Sequence, residues 1–233
     1  MDLKDCRYII YRTKRKSIML KLRSDGVLLL YCPIGYPKKK ALKFIEENSP
    51  RLLEVSKDTI KKRLSVVFGE SEASLSLLYL GKRYPLFLGS GMKSFCFDGK
   101  AFFCPDLPKL EILKLYKDFL RYETKRILPK TVETIAKENG FQYNKITIKD
   151  MYSRFGSCSA LKNLNFSLAL SAFDEEFLRF IVCHELCHTV FLNHRANFYS
   201  LLNKISPYQS KNDEKLMRRK YSEILFSICS HLF

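Results

Sequence analysis

The sequence predicts an α+β protein with two domains: a β-rich, basic N-terminal domain over residues 1–105 and a second domain over residues 106–233. Three observations support this prediction. Strand-like runs rich in β-branched and aromatic residues dominate the first part, whereas long amphipathic helical patterns dominate the second. Cys104-Pro105, followed closely by Pro108, marks the change between them. One helical pattern of the second part is strongly apolar yet carries two histidines.

Strands are predicted for most of the first 105 residues. They cover residues 8–11, 17–22 and 27–32, a hairpin of 76–80 and 84–88 that turns at Gly81-Lys82, and a hairpin over 95–103 that turns at Asp98-Gly99. Between these groups, apolar residues at helical spacing predict a basic helix over residues 38–47. Because proline cannot donate to a helix, Ser49-Pro50 is expected to end it, and a second helix is expected from Arg51 to about Leu64.

The second part alternates long helices with a few short strands. An amphipathic helix is predicted after Pro108, kinked or split at Pro129 and stopped at Asn139-Gly140. Strands are predicted over 145–149 and 164–170, with a turn at 160–163. Three helices follow: a histidine-bearing helix capped by Ser171 or Asp174, a short helix near 198–205, and a basic amphipathic helix over 212–228. The stretch near 164–170 is expected to form an exposed sheet edge.

Composition places the chain among folded soluble proteins. It has 233 residues, of which 46% are hydrophobic and 28% charged, which is ordinary for a globular protein. Its first residues contain no apolar signal-peptide core. No stretch approaches the roughly 20 apolar residues of a membrane helix. We therefore expect a cytoplasmic protein with no membrane partner.

The eight cysteines form no Cys-x-x-Cys pair. Without a secretion signal they are expected to be reduced and to pack as small hydrophobic residues. Cys183 and Cys187 flank the histidines at the same four-residue spacing. Their face of the helix is turned by about 100° from the histidine face, so both sets cannot point at one metal ion.

The formal net charge is +17. Residues 1–105 contain 21 Lys and Arg against 10 Asp and Glu, and residues 106–233 contain 20 against 14. Such an excess has two interpretations: a solvated surface in an organism whose proteins are rich in lysine, or a surface for DNA or another polyanion. Charge alone does not choose between them.

Three of the four histidines lie within residues 184–194. His184 and His188 are four residues apart and therefore share one face of a helix, where two imidazoles can bind one metal ion with Glu185 beside them. If the helix continued, His194 would lie about 9 Å beyond His188. The helix is thus expected to end near Phe191 or Leu192, with the chain turning back at Asn193 in the left-handed conformation.

The flanking residues support a metal site over three unrelated histidines. They make the helix mostly buried; these residues are Phe177, Phe180, Ile181, Val182, Leu186, Val190 and Phe191. Buried polar groups without partners are costly, and a metal ion supplies a partner for two imidazoles and a carboxylate.

Several segments together resemble the YgjP-type metallopeptidases, zincin-like proteins related to the WLM and SprT proteases. They are residues 154–159 (RFGSCS), Leu164-Asn165-Phe166, His184-Glu185-Leu186-Cys187-His188, Asn193-His194 and Phe198. The resemblance implies a zincin-like metallopeptidase domain over residues 106–233, with a small sheet and an HExxH helix. It also implies Zn²⁺ bound by His184, His188 and His194, and Glu185 as catalytic base. Family members usually have tryptophan at Phe155 and often near Tyr199, and a small polar residue at Arg195, so substrate preference is left open.

The implied reaction is hydrolysis of a peptide bond in a protein or peptide substrate. Three neutral imidazoles leave one position open for water on Zn²⁺, and Glu185 would take the proton of that water. A peptide could add as a strand along the expected edge at 164–170. Arg154, Tyr199 and Tyr208 are candidate oxyanion donors. Glu214 or Glu223 is an alternative third ligand.

Two rival functions remain open at the level of sequence. The chain could be a nucleic-acid-associated module that binds through its basic N-terminal part and carries a non-catalytic or regulatory zinc site; the WLM and SprT proteases that it resembles act near DNA-bound proteins. Alternatively, the metal could only stabilise the fold. Salt-dependent DNA binding after removal of zinc would favour the first of these rivals.

Overall fold

The computed structural model of the chain describes residues 7–22, 27–69, 74–206 and 211–230, without the side chains of residues 211–214. In this part of the chain, helices and short strands in small sheets confirm the predicted α+β class. The strands are β1 (Tyr8–Thr13), β2 (Met19–Leu22), β3 (Leu28–Pro33), β4 (Ser76–Tyr79), β5 (Lys82–Leu88), β6 (Cys96–Phe97), β7 (Phe102–Cys104), β8 (Ile146–Lys149), β9 (Gly156–Cys158) and β10 (Leu164–Ser167). The helices are α1 (Lys38–Phe68), α2 (Lys109–Asn139), α3 (Glu175–Cys187), α4 (Ala196–Ile205) and α5 (Lys211–Cys229), with a 3₁₀ helix at Leu168–Ala172.

The chain forms two compact units, one of the described residues up to Arg63 and one of Leu64–Ser230. This division lies between Arg63 and Leu64 rather than near residue 105. Strands β4–β7 belong to the second unit because their buried side chains share one hydrophobic core with helices α2 and α3; Leu77, Phe102 and Phe177 are among its members.

The first unit is a three-stranded sheet with the order β1-β3-β2, in which β1 is parallel and β2 antiparallel to β3. Helix α1 continues through Pro50, so the expected break at Ser49-Pro50 is wrong. An internal proline costs a helix about 3 kcal/mol. Side chains of α1 are buried on both sides of the proline: Ala41 and Ile45 before it and, in part, Leu52 after it. Because full burial of a large apolar side chain stabilises a protein by about 1.5–3 kcal/mol, this burial offsets the cost of the proline.

In the second unit, the two predicted hairpins are confirmed. β4 pairs antiparallel with β5, β6 pairs antiparallel with β7, and a parallel β5–β7 pair joins them into one sheet. Helix α2 runs unbroken through Pro129 and ends at Gly140, which has the left-handed conformation (φ 71°) expected of that stop. Thr124 of α2 donates to Leu168 O at 2.7 Å and so fixes α2 against the 3₁₀ helix.

The small sheet that precedes α3 has the order β8-β10-β9. β10 is its central strand, parallel to β8 and antiparallel to β9. The prediction of an exposed edge at residues 164–170 is therefore wrong, because β10 is hydrogen-bonded on both sides and residues 168–172 form the 3₁₀ helix. The edge strand on that side is β9, a three-residue strand that the sequence pattern did not predict.

The start of α3 is fixed by a turn of the β4–β5 hairpin. Leu80 N donates to Ser171 O at 2.9 Å and Gly81 N donates to Ala172 O at 3.1 Å. Asp174 then caps α3 by accepting from Phe177 N at 2.7 Å, and Tyr221 of α5 donates to the same carboxylate. Of the two predicted caps, Asp174 is thus the one observed. These contacts set the position from which the histidine helix begins.

Helices α4 and α5 lie within a few residues of their predicted positions. In the described ranges, no helix combines the length and apolar character that a bilayer crossing demands.

We expect Gly81→Ala to destabilise the protein more than Gly99→Ala. Both glycines have positive φ, which costs alanine about 1–2 kcal/mol. At Gly81 the new methyl group would also lie 2.6 Å from Asp174 Cβ and 2.9 Å from its Cα, whereas nothing lies within 4 Å at Gly99. The clash should add at least about 1 kcal/mol. Urea unfolding measures the free energy of unfolding of both variants. Equal losses of stability would show that the close contact of the turn with Asp174 does not contribute.

Candidate metal centre

Helix α3 ends one turn earlier than the sequence predicted. Its last residue is Cys187, and the expected ends at Phe191 or Leu192 are wrong. Thr189 closes the helix early, because its N–H and its hydroxyl both donate to Leu186 O, at 2.9 and 2.7 Å. The turn back uses no left-handed asparagine, since Leu80 and Lys162 are the non-glycine residues with positive φ in the described chain. Val190, expected to be buried, is 54% exposed.

The early end of α3 allows His194 to approach the two helix histidines. His184 Nε2 lies 3.2 Å from His188 Nε2 and 3.1 Å from His194 Nε2. His184 is buried, His188 half-buried and His194 exposed. The ring of Phe198, a buried residue at the start of α4, packs against all three imidazoles, with its centroid 4.6–5.0 Å from theirs.

The three nitrogens fit a bound metal ion. His188 Nδ1 lies 3.0 Å from Phe191 O. Because a carbonyl oxygen only accepts, that nitrogen carries the hydrogen and leaves a lone pair on Nε2 of the neutral ring. Two imidazole ligands of a tetrahedral zinc ion lie about 3.3 Å apart, close to the distances found here. A single hydrogen on His184 Nε2 could serve only one of its two neighbours, whereas a cation satisfies all three lone pairs.

The protonation state of His184 also suits a ligand. Burial, together with the positive charge of Arg218, lowers its pKa to about 2. The imidazole is therefore neutral at any ordinary pH, as a metal ligand must be.

Glu185 lies in the same cleft with a buried carboxyl group. Its Oε2 atom has no hydrogen-bond partner among the described residues. Burial raises its pKa to about 7, against the opposing charges of Arg218 and Arg154. A divalent cation beside it would lower that pKa again. A buried carboxyl poised near neutrality can both accept and return a proton.

Strand β9 approaches the Glu185 side chain so closely that any side chain at position 156 would displace it. A Cβ atom there would lie 2.7 Å from Glu185 Cγ and 2.8 Å from its Oε1. The neighbouring Phe155 is buried and packs edge-on against Phe177 of α3, with ring centroids 4.9 Å apart. Gly156 thus positions the carboxylate, a role that the sequence pattern did not reveal.

The three histidines, Glu185 and Gly156 line an open cleft with a volume of ≈ 480 Å³. Its charged lining consists of Glu185, Arg154 and Arg218, together with the three histidines. Arg218 comes from α5 and was not identified from the sequence; its guanidinium lies 5.6 Å from the centre of the Phe180 ring. The cleft is therefore cationic around one buried carboxyl group.

Of the alternative ligands, none joins the group of three histidines in the described residues. Glu223 is exposed on α5, and the side chain of Glu214 lies outside the described part. Cys183 and Cys187 are fully buried free thiols, as predicted, and Cys183 donates to Ile205 O at 3.3 Å.

The candidate oxyanion donors have different positions. Arg154 lines the cleft. The Tyr199 ring lies 6.2 Å from that of His194 but is not part of the cleft lining. Tyr208 lies outside the described residues.

Comparison with known proteins gives one match. A family model described as the YgjP-like metallopeptidase domain matches residues 16–219. No curated protein and no solved structure matches the chain.

We expect the purified protein to hold one divalent metal ion per chain. His188→Ala and His194→Ala should each weaken binding at least about 10²-fold, because each removes one of three imidazole ligands. Elemental analysis and calorimetric titration measure the stoichiometry and affinity. Glu223→Ala, an exposed carboxylate on α5, is the matched control and should bind like the parent. Tight binding by His194→Ala together with loss in Glu214→Ala would contradict this ligand set.

Proposed function

The chain belongs to the YgjP-like metallopeptidase domain family, and from this membership and its site we propose that it is a zinc-dependent peptidase. The observation that carries the proposal is the meeting of three imidazole nitrogens and the buried Glu185 carboxyl in one open cleft. The second unit would then be a zincin-like domain. Its substrates would be proteins or peptides.

His184, His188 and His194 would hold the zinc ion. When bound there, zinc supplies a Lewis acid that polarises a carbonyl group and lowers the pKa of water. Glu185 is the general base: its Oε2 atom accepts a proton from the attacking water and returns it to the leaving amine. Burial raises the pKa of Glu185 and the bound cation lowers it, so near neutral pH the carboxylate is ionised and able to accept the proton.

Strand β9 is the element best placed to hold a peptide substrate. It is an edge strand, and its three residues line the cleft beside Glu185. An extended peptide can add to such an edge through backbone hydrogen bonds. Binding there would place a scissile bond between β9 and the histidines. This replaces residues 164–170 as the site of strand addition.

Arg154 and Arg218 would stabilise negative charge that forms on the carbonyl oxygen. The positive charges of both arginines lower the pKa of Glu185, so both act electrostatically at the position where the reaction would take place. Arg154 lies closer in sequence to β9 and is the better candidate for direct contact with a bound peptide.

A purely structural metal site fits these residues less well. Structural zinc sites are usually closed by four protein ligands, whereas catalytic sites use three and leave a position open. The described residues supply three histidines on an open cleft. Three protein ligands instead of four therefore favour a catalytic over a structural zinc site.

Glu185→Gln should abolish peptide hydrolysis while zinc remains bound. Glutamine keeps the size of the side chain but cannot accept the proton, so the rate should fall at least about 10²-fold. The assay follows cleavage of unfolded proteins by the zinc-loaded enzyme, with the metal content of each sample measured.

Glu223→Gln, which changes an exposed carboxylate of α5, is the control for this experiment and should cleave at the parental rate. A folded, zinc-loaded Glu185→Gln protein with parental activity would rule out the mechanism.

Gly156→Ala should reduce activity without releasing zinc or unfolding the protein. The three atoms nearest to the new methyl group all belong to the flexible Glu185 side chain, which must move, and a displacement of about 1 Å can cost about 10²-fold in rate. Gly91→Ala is the matched control, since nothing lies within 4 Å of the added methyl group there. Equal activities of the two variants would show that Gly156 does not position the carboxylate.

A further inference from the structure

One face of the sheet in the first unit is buried against α1. Leu28, Leu30 and Cys32 of β3 are completely buried, and Leu28 and Leu30 pack in one cluster with Ala41 and Ile45 of α1. Since side chains alternate along a strand, Leu29 and Tyr31 of β3 point to the opposite face.

The register places side chains of all three strands on that opposite face, because directly paired residues lie on the same side of a sheet. Tyr11 of β1 and Met19 of β2 pair with Tyr31, and Ile9 and Lys21 pair with Leu29. We call this set the open face; it consists of Ile9, Tyr11, Met19, Lys21, Leu29 and Tyr31. Ile9 and Tyr11 are 38% and 40% exposed.

Two aromatic rings form the centre of the open face. Tyr11 and Tyr31 are stacked, with centroids 5.0 Å apart and planes inclined by 15°. The guanidinium of Arg15 lies 5.9 Å from the centre of the Tyr31 ring. A flat, partly exposed aromatic pair with an attached cation can stack on further planar groups.

The segment that forms this sheet and the start of α1 is strongly basic. Residues 7–45 contain eleven Lys and Arg and one acidic residue, Asp25. Because β1 and β3 are parallel, the segments that follow them emerge at the same end of the sheet, and these contain Lys14–Lys16 and Lys38–Lys40. Arg12 joins the two segments by donating to Ile34 O and Tyr36 O. The aromatic pair thus has a basic rim.

We propose that the open face binds single-stranded nucleic acid. An unpaired base stacks on the exposed ring of Tyr11, which the half-buried Tyr31 supports, and Lys14, Lys16 and Lys21 contact the phosphates. Aromatic platforms within positive surroundings are the usual means of binding single strands, because every base offers a π-face and every linkage a charge. In a duplex the faces of the bases are stacked on one another and cannot contact a flat sheet surface. The open face therefore binds single strands in preference to duplexes. The activity of the metal centre plays no part in this binding.

The test is fluorescence anisotropy of the full chain with labelled oligo(dT) and oligo(U) of about 15 nucleotides. Measurements at about 50 and about 200 mM salt, with and without EDTA, separate binding from metal chemistry. Single strands should bind at least about tenfold more tightly than a duplex of equal length. Stronger binding of either oligomer assigns DNA or RNA as the partner, and equal binding assigns single strands in general.

Tyr11→Ala should weaken single-strand binding at least about fivefold, and Tyr11→Phe should retain it, because stacking needs the ring and not the hydroxyl. Tyr11→Leu keeps an apolar contact without a ring, and it should also lose affinity. It serves as a second variant if Tyr11→Ala fails to fold, and circular dichroism checks the folding of both. Tyr122→Ala, which removes a 67% exposed tyrosine of α2, is the matched control.

Lys14→Gln with Lys16→Gln should reduce the slope of log affinity against log salt by about 1.4, or about 0.7 per lost contact. The matched pair Lys125→Gln with Lys130→Gln, exposed on α2, should leave the slope unchanged. Equal affinity for duplex and single strand, full binding by folded Tyr11→Leu, or tighter binding to anionic lipid vesicles than to either oligomer would each overturn the proposal.

Discussion

The Nε2 atoms of His188 and His194 lie 3.2 and 3.1 Å from that of His184, and much of the second unit serves to hold these three nitrogens together. Helical spacing aligns the first two. The third depends on the early closure of α3 at Cys187 and on Phe198, whose ring supports all three imidazoles. At the other end of α3, the Asp174 cap and the β4–β5 turn fix where the helix begins. The second constraint on the site is the contact of Gly156 with Glu185, which sets the carboxylate against β9.

The parts of the site that could be predicted from sequence are those that depend on local spacing. Two histidines four residues apart must share a helix face, and a mostly apolar helix must bury them. Gly156 and Arg218 could not be found in this way, because their importance arises where β9 and α5 approach the cleft. The edge strand was misplaced for the same reason: Gly-Ser-Cys has little β-propensity, and β9 forms because β10 offers it a partner.

The fold shows the same division between local and tertiary effects. Both hairpins were predicted from their turns, and the end of α2 from Gly140. The expected break in α1 failed because proline is a local signal, whereas burial on both sides of Pro50, at Ile45 and Leu52, holds the helix together. The change in composition near residue 105 coincides with the start of α2 at Lys109, yet strands on both sides of it share one core. Sequence composition records where element types change, and packing decides which elements form a unit.

X-ray absorption at the zinc edge tests the central claim most directly, because it reports the atoms bound to the metal. Three histidine ligands predict nitrogen or oxygen neighbours at about 2.0–2.1 Å, with the outer-shell scattering of imidazole rings, and no sulfur. A sulfur neighbour at about 2.3 Å would place the metal on a thiolate such as Cys158 of the cleft or the buried pair Cys183 and Cys187, and would contradict the account.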